Sequence, residues 1–357
     1  MRTLRRYLAT EIVAATALVI VALLMLFAFF DLIDQLKDLG RGAYNLRRII
    51  IYVLLSMPDH VYALFPVAAL IGTLFALAQL VAGSEYTVMR TSGVSTTRFA
   101  ATLASIGLGF ALLTFAFGEF IAPPAEQLAQ RLRSQAITGL VAQEFRSGLW
   151  IKDDRRFINV IEVLPDSTLR GVRIYEFDPE SRLTSVSFAQ RGRYQSGRRW
   201  LLTDVIQTQF ESGKTAVREI AELEWHSVLD PDLITVLLVK PEQMSAWNLY
   251  SYAQHLKENR QRALRYEIAL WAKFVHPLAL IVMMVLALPF AHIQTRQAGV
   301  GAKIFTGIML GIVFHFLNRL FSHLGLLYDW PPFATAIVPT AVFLSAALTM
   351  MWWQERR

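Results

Sequence analysis

Ionisable side chains that interrupt long apolar runs are the residues with chemistry to offer. Lys273, His276, His315 and Arg319 sit in stretches otherwise rich in Leu, Val, Ile, Phe and Ala, and His323 lies near the end of one. In a bilayer an unpaired charge at the centre costs about 3 kcal/mol, so such residues become functional candidates. Lys273 and Arg319 must then pair with a carboxylate, snorkel to the surface or face a polar ligand. The histidines have two uses: a proton relay, or a hydrogen-bonded place in a packed bundle. No run of acids accompanies them, which favours packing.

A second set surrounds the ends of the apolar runs. Asp31, Asp34, Lys37 and Arg41 follow the first run, and Arg47 and Arg48 precede the second. Arg131, Arg133, Arg262 and Arg265 flank the middle of the chain. Bases in such a collar either anchor helices at an interface or attract anionic lipid headgroups, at about 1 kcal/mol each near a charged surface. Asp31 and Asp34, with Lys273, His276 and His315, are candidates for polar positions in a cavity or inside the bundle. Glu85 stands alone in an otherwise basic connection. It is either a first-turn acid that suits a helix N-terminus or a docking point for a basic groove on a partner.

Other chemistries are excluded. Cysteine is absent, so there is no disulfide, thiol nucleophile or thiolate metal ligand. Gly213-Lys214-Thr215 resembles the end of a phosphate-binding loop, but Thr208 stands where the earlier glycine belongs. The tripeptide also lies between two strand-like runs with no helix after it, which makes it a hairpin turn. Zinc-protease and serine-hydrolase motifs and clustered metal-ligand spacings are missing. We therefore expect no catalytic residue, no metal and no cofactor in this chain. The net charge is +7, and no basic-aromatic surface for nucleic acid is apparent.

The elements that must position these residues are mostly membrane-length helices. A crossing needs about 20 apolar residues. Residues 12–33, 54–82, 99–122, 266–291, 304–325 and 333–353 qualify. The first is too long for a signal peptide, and no small-residue cleavage site follows it. Basic residues fall on one side: Arg2, Arg5 and Arg6, then Arg90 and Arg98, then Arg296 and Lys303, then Arg356 and Arg357. By the positive-inside rule both termini are cytoplasmic and the middle segment is exported.

Residues 84–95 predict a short helix at the cytoplasmic surface, with Ser84 as its N-cap and Gly93 as the residue that ends it. Pro123-Pro124 is a breaker pair, and a polar helical extension follows it. Then the period changes to two. Residues 149–152, 157–163, 171–177, 183–194, 200–210 and 216–225 alternate apolar and polar between turn clusters, as in a β-sandwich or jelly roll. Residues 245–260 return to helical periodicity. The helix triplets show no repeat, so an inverted-repeat transporter gains no support.

Several segments together carry a family resemblance. Asp34-Gln35-Leu36-Lys37, Ser84-Glu85-Tyr86-Thr87-Val88-Met89 through Gly93, Gly148-Leu149-Trp150, and Arg265-Tyr266 followed by Trp271, Lys273 and Pro277-Leu278 occur in an ordered series. In that series the chain resembles the permease subunits of the lipopolysaccharide export ABC transporter, the LptF/LptG family, and is more similar to its LptG branch.

The resemblance implies an α-helical membrane protein with six transmembrane helices and a periplasmic all-β jelly-roll-like domain between helices three and four. The expected division is 1–125, then 126–260, then 261–357. It implies a sister six-helix permease, a cytoplasmic ATPase dimer that binds the ATP and magnesium, a single-helix periplasmic bridge protein, and lipopolysaccharide as cargo in a bacterial inner membrane. Ser84, Glu85, Met89, Arg90 and Gly93 become ATPase-coupling residues. Lys37 and Arg41 become headgroup contacts, and Arg133, Arg265 and Arg319 complete the basic set. Asp31 and Asp38 depart from the bases found in some relatives, which weakens the headgroup assignment relative to the coupling one. The rivals are a proton-driven transporter of a lipid or amphiphile, which wants paired intramembrane acids, and a non-transporting scaffold.

Overall fold

The computed structural model describes residues 2–137, 148–163, 168–196, 199–211, 214–227, 240–258, 261–292 and 300–356. Arg296, Arg357 and Gly213 lie outside these residues. Nine α-helices and six strands are described, in the order α1 (Arg2–Leu36), α2 (Leu46–Ala82), α3 (Glu85–Thr91), α4 (Thr96–Phe120), α5 (Ala122–Ala136), β1 to β6, α6 (Ala246–Glu258), α7 (Leu264–His292), α8 (Val300–Leu327) and α9 (Pro332–Glu355). Six spans are long and apolar enough to cross a membrane, matching the six expected runs.

The helices are longer than the apolar runs. The 37 residues of α2 make a rod of about 55 Å against a hydrocarbon core of about 30 Å. At its start stands Asn45, whose side chain accepts from the Arg48 N–H and caps the first turn. Pro123-Pro124 does not stop the chain. It opens α5 directly after Ile121, because proline at a first helical turn forfeits no hydrogen bond.

The core lies between α2 and α7. Two thirds of the most apolar window in each is buried (67%), against 11% in α1 and 17% in α8. Leu70, Leu74 and Leu77 of α2 meet Leu280, Met283 and Leu286 of α7 in one cluster with Phe99 and Leu103 of α4. Glycine lets helices approach closely: a methyl group at Gly72 of α2 would collide with the Thr16 backbone of α1. At the opposite extreme, α1 and α8 turn Leu18, Met25, Phe29, Phe305 and Phe316 outward.

The middle of the chain forms a separate sheet: β1 (Leu149–Asp153), β2 (Arg156–Val163), β3 (Leu169–Phe177), β4 (Leu183–Ser196), β5 (Arg199–Glu211) and β6 (Lys214–His226). Each strand is within a few residues of its expected run. The strands stand in chain order, each antiparallel to the next. Tight turns cause this. Asp154 (φ 51°) takes the left-handed turn between β1 and β2, and Ser181 (φ 62°) does so between β3 and β4. Turns this short hand each strand to its neighbour. The described strands thus make one layer; the second layer of a jelly roll is not among them. One face buries Ile158, Val160, Leu169, Val172, Trp200, Leu202 and Trp225.

Candidate functional site

Three places combine exposed or buried polar groups with helix ends. The first is α3. Its inner face is fixed by Tyr86, buried against the Phe99 ring at 4.9 Å, and by Met89, which packs on the main core. The outer face presents Glu85, Thr87 and Val88, the last 61% exposed.

Ser84 does not cap this helix as expected. Its backbone is left-handed (φ 60°), and its hydroxyl accepts no N–H of α3. It forms the sharp corner between α2 and α3 instead. Gly93 (φ 89°) does end the helix. The Val94 N–H bonds the Met89 carbonyl at 3.2 Å, and the Gly93 N–H bonds the Arg90 carbonyl at 3.0 Å, the Schellman pattern. Arg90 donates from Nη1 to Thr96 Oγ1 at 2.7 Å and so ties α3 to the start of α4. Glu85 lies beside the Tyr7 hydroxyl of α1. Tyr7 and Val88 were missed from sequence. Only the 3.6-residue period, which sets Val88 one turn after Glu85, could have flagged Val88.

The second place is the far end of α1, where it meets the start of α2 and the end of α5. Lys37 pairs with Asp34 at 2.7 Å. Asp38 binds Arg41 at 2.7 Å and Arg133 of α5 at 2.8 Å. The structure therefore brings Lys37, Arg41 and Arg133 into one neighbourhood, but each already faces a carboxylate. Lys37 is highly exposed, and Asp34 beside it holds its ammonium above the ordinary lysine range. Such an exposed pair contributes little to stability and is open to exchange with another anion.

Tyr44 is buried there and donates to Gln35 at 2.9 Å; burial pushes its phenol up to about 12. A concavity of about 410 Å³ opens beside it, lined by Leu39, Gly40, Ala43, Asn45 and Arg48. Arg265 belongs to a different contact, 3.7 Å from Glu242. Arg319 is exposed on α8 without an ion-pair partner among the described residues.

Asp31 lies 2.5 Å from His60 of α2. Asp59 and Glu126 of α5 also act on that ring. Glu126 is 2% exposed; one carboxylate oxygen accepts from Gln130 and the other has no partner among the described residues. A reading of histidines without acids suits His276 and His315 but overlooks His60, which pairs with Asp31 and feels the charges of Asp59 and Glu126. Its signal was the adjacent Asp59-His60 pair near the start of a predicted span.

The third place surrounds Lys273 of α7, which is 5% exposed. Its Nζ donates to the Gly118 carbonyl of α4 at 2.9 Å and sits 4.6 Å from the centre of the Tyr62 ring. A side chain at Gly118 would run into that ring. His276, one turn later, reaches the Tyr62 carbonyl at 2.9 Å, a hydrogen-bonded packing position. His315 is exposed on α8. Among the described residues no group of His, Asp and Glu is arranged to hold a metal ion.

Comparison with known proteins places this architecture. The family model described as "Lipopolysaccharide export system permease LptF/LptG" matches residues 6–353. The chain is 33% identical over 350 residues to the lipopolysaccharide export system permease protein LptG of Escherichia coli strain K12, covering 98% of this chain and 97% of that protein. It is 29% identical over 352 residues to the LptG protein of Haemophilus influenzae, with the same coverage. The match runs through spans, α3 and sheet alike: the chain belongs to the LptF/LptG family of lipopolysaccharide export system permeases.

Proposed function

We propose that this chain is the membrane subunit of an ATP-driven exporter that takes lipopolysaccharide from the outer leaflet of a bacterial inner membrane and passes it to a periplasmic bridge. The carrying observation is the family match across residues 6–353. In this reading both termini and α3 are cytoplasmic and the sheet is periplasmic, with units at 1–125, 126–260 and 261–357. A permease without a nucleotide site borrows its energy. A cytoplasmic ATPase dimer, holding ATP and magnesium, docks on the outer face of α3 through Glu85 and Val88. Arg90, Met89, Ser84 and Gly93 hold that helix in place rather than meeting the partner.

A sister six-helix permease covers the apolar faces of α1 and α8, and a single-helix protein continues the sheet's path. Acyl chains need an apolar cavity with few fixed polar groups. Lys37, Arg41 and Arg133 offer phosphate contacts by exchanging carboxylate for phosphate, and Arg265 and Arg319 extend the basic rim. ATP binding shifts the population between open and closed cavities.

The test is co-purification with a sister permease and an ATPase, then ATP-dependent lipopolysaccharide release from proteoliposomes. Glu85→Lys should abolish release while the complex still binds lipid; normal release in that variant counts against the docking role. A second reading, proton-driven transport, draws support from His60 among Asp31, Asp59 and Glu126. Release that follows a pH gradient without ATP would favour it.

A further inference from the structure

The segment returning from the sheet to the membrane helices is tied down at two points far away in sequence. Gln243 donates from Nε2 to Asp59 Oδ2 of α2 at 2.9 Å. At the end of α4, Glu119 receives the Ala246 N–H at 2.8 Å and the Trp247 N–H at 3.4 Å. It thereby covers two of the open donors at the start of α6. Ser245 caps the next turn through the Asn248 N–H. Met244 is buried between these ties against Leu249 and Ala269 of α7. Near them lies Lys273, whose ammonium is attracted by both Asp59 and Glu119. Its direct ligands are a carbonyl and a ring face, not a carboxylate. The two acids thus lie near a buried lysine yet spend their hydrogen bonds on the returning segment.

We propose that Asp59, Glu119 and Lys273 form a transmission joint that positions the sheet's return segment on α2, α4 and α7, so that movement of these spans is handed to the sheet. The inference rests on the export reading above. It adds three positioning residues that make no contact with cargo or nucleotide. A loosened joint leaves the ATPase engaged at α3 and the cavity intact but wastes the stroke. The number it changes is lipid released per ATP hydrolysed.

The chain has no cysteine, so a thiol pair can be placed cleanly. Asp59→Cys with Gln243→Cys, in a Glu119→Ala background, removes the hydrogen-bonded ties to α2 and α4 and leaves those to α7: the packing of Met244 and Leu249 and the Glu242–Arg265 and Lys257–Glu267 pairs. In proteoliposomes holding the whole exporter, lipopolysaccharide release per ATP should fall about tenfold, the worth of lost hydrogen bonds to charged groups, with ATP hydrolysis nearly unchanged. Bridging the two thiols with a short bis-maleimide should restore release. Gln243→Ala alone, a mild change on the linker, should show a smaller loss of the same kind. Unchanged release per ATP in the loosened protein overturns the joint. So does a bridge that forms without restoring release, or a loss that tracks falling hydrolysis. If the unmodified exporter releases no lipopolysaccharide with ATP, the export reading itself has failed.

Discussion

Gly93 offers the cleanest test of how α3 is held. Its φ is 89°, and no heavy atom lies within 4 Å of where a Cβ would stand. It has room for a side chain but not the backbone freedom for one. Alanine there should cost about 1–2 kcal/mol, the penalty of a left-handed L-residue. Nothing offsets it, since no new contact forms. The helix it ends has only seven residues and cannot hold itself by propensity. The cost therefore falls on the local equilibrium of α3, raising its opened fraction about 5- to 30-fold for that penalty. Amide hydrogen exchange at Val94 and Gly93 should quicken by that factor, and ATPase co-purification should weaken in step. Global melting should barely move. Asparagine, which tolerates this backbone better, should fall between glycine and alanine, and valine should be worst. Gly109, equally open but inside α4 with an ordinary backbone, serves as the control: Gly109→Ala should stabilise by about 0.5–1 kcal/mol. Equal exchange rates in Gly93→Ala and the parent, or asparagine no better than valine, would refute the reasoning.

Three further outcomes are expected. Val88→Asp should reduce ATPase binding without changing the melting temperature, read by pull-down beside calorimetry, because the Val88 side chain faces outward from α3 and is mostly exposed. Lys37→Ala should leave stability unchanged and lower lipopolysaccharide binding, most at low salt; Asp38→Ala should instead cost about 1–3 kcal/mol in thermal unfolding, because it strands the half-buried Arg133. Trp200→Ala should cost about 3–5 kcal/mol and melt the sheet alone, since this fully buried ring bridges Tyr194 and Trp225; loss of protease resistance across β1 to β6 reports it.

The spans and strands were legible because each is written locally. A crossing needs one long apolar run, and a strand needs alternation between turn residues. Both signals lie in consecutive residues; the strand ends fall close to them, while α1 and α2 begin well before their apolar runs. What sequence did not carry was which polar groups meet. Asp59 finds Gln243 across 184 residues, and Glu119 finds the start of α6 across 127. Those pairings come from how helices pack, and no spacing rule announces them. Lys37 and Arg41 read as members of a basic collar; their pairing with Asp34 and Asp38, three residues away, depends on a turn whose geometry the sequence does not spell out. Arg90 read as a partner contact. The Schellman turn at Gly93 swings the chain back, and that brings Thr96 under the guanidinium.

The chain-order pairing of the sheet has a bearing on biogenesis. Every described strand pairs with its neighbour in the chain, and only a few residues separate consecutive strands, so contacts are local and loop closure costs little. Hairpins can zip up one after another while synthesis continues, before α7, α8 and α9 exist. The nascent chain thus presents a ready-folded unit, and the last helices need only pack beside their earlier companions.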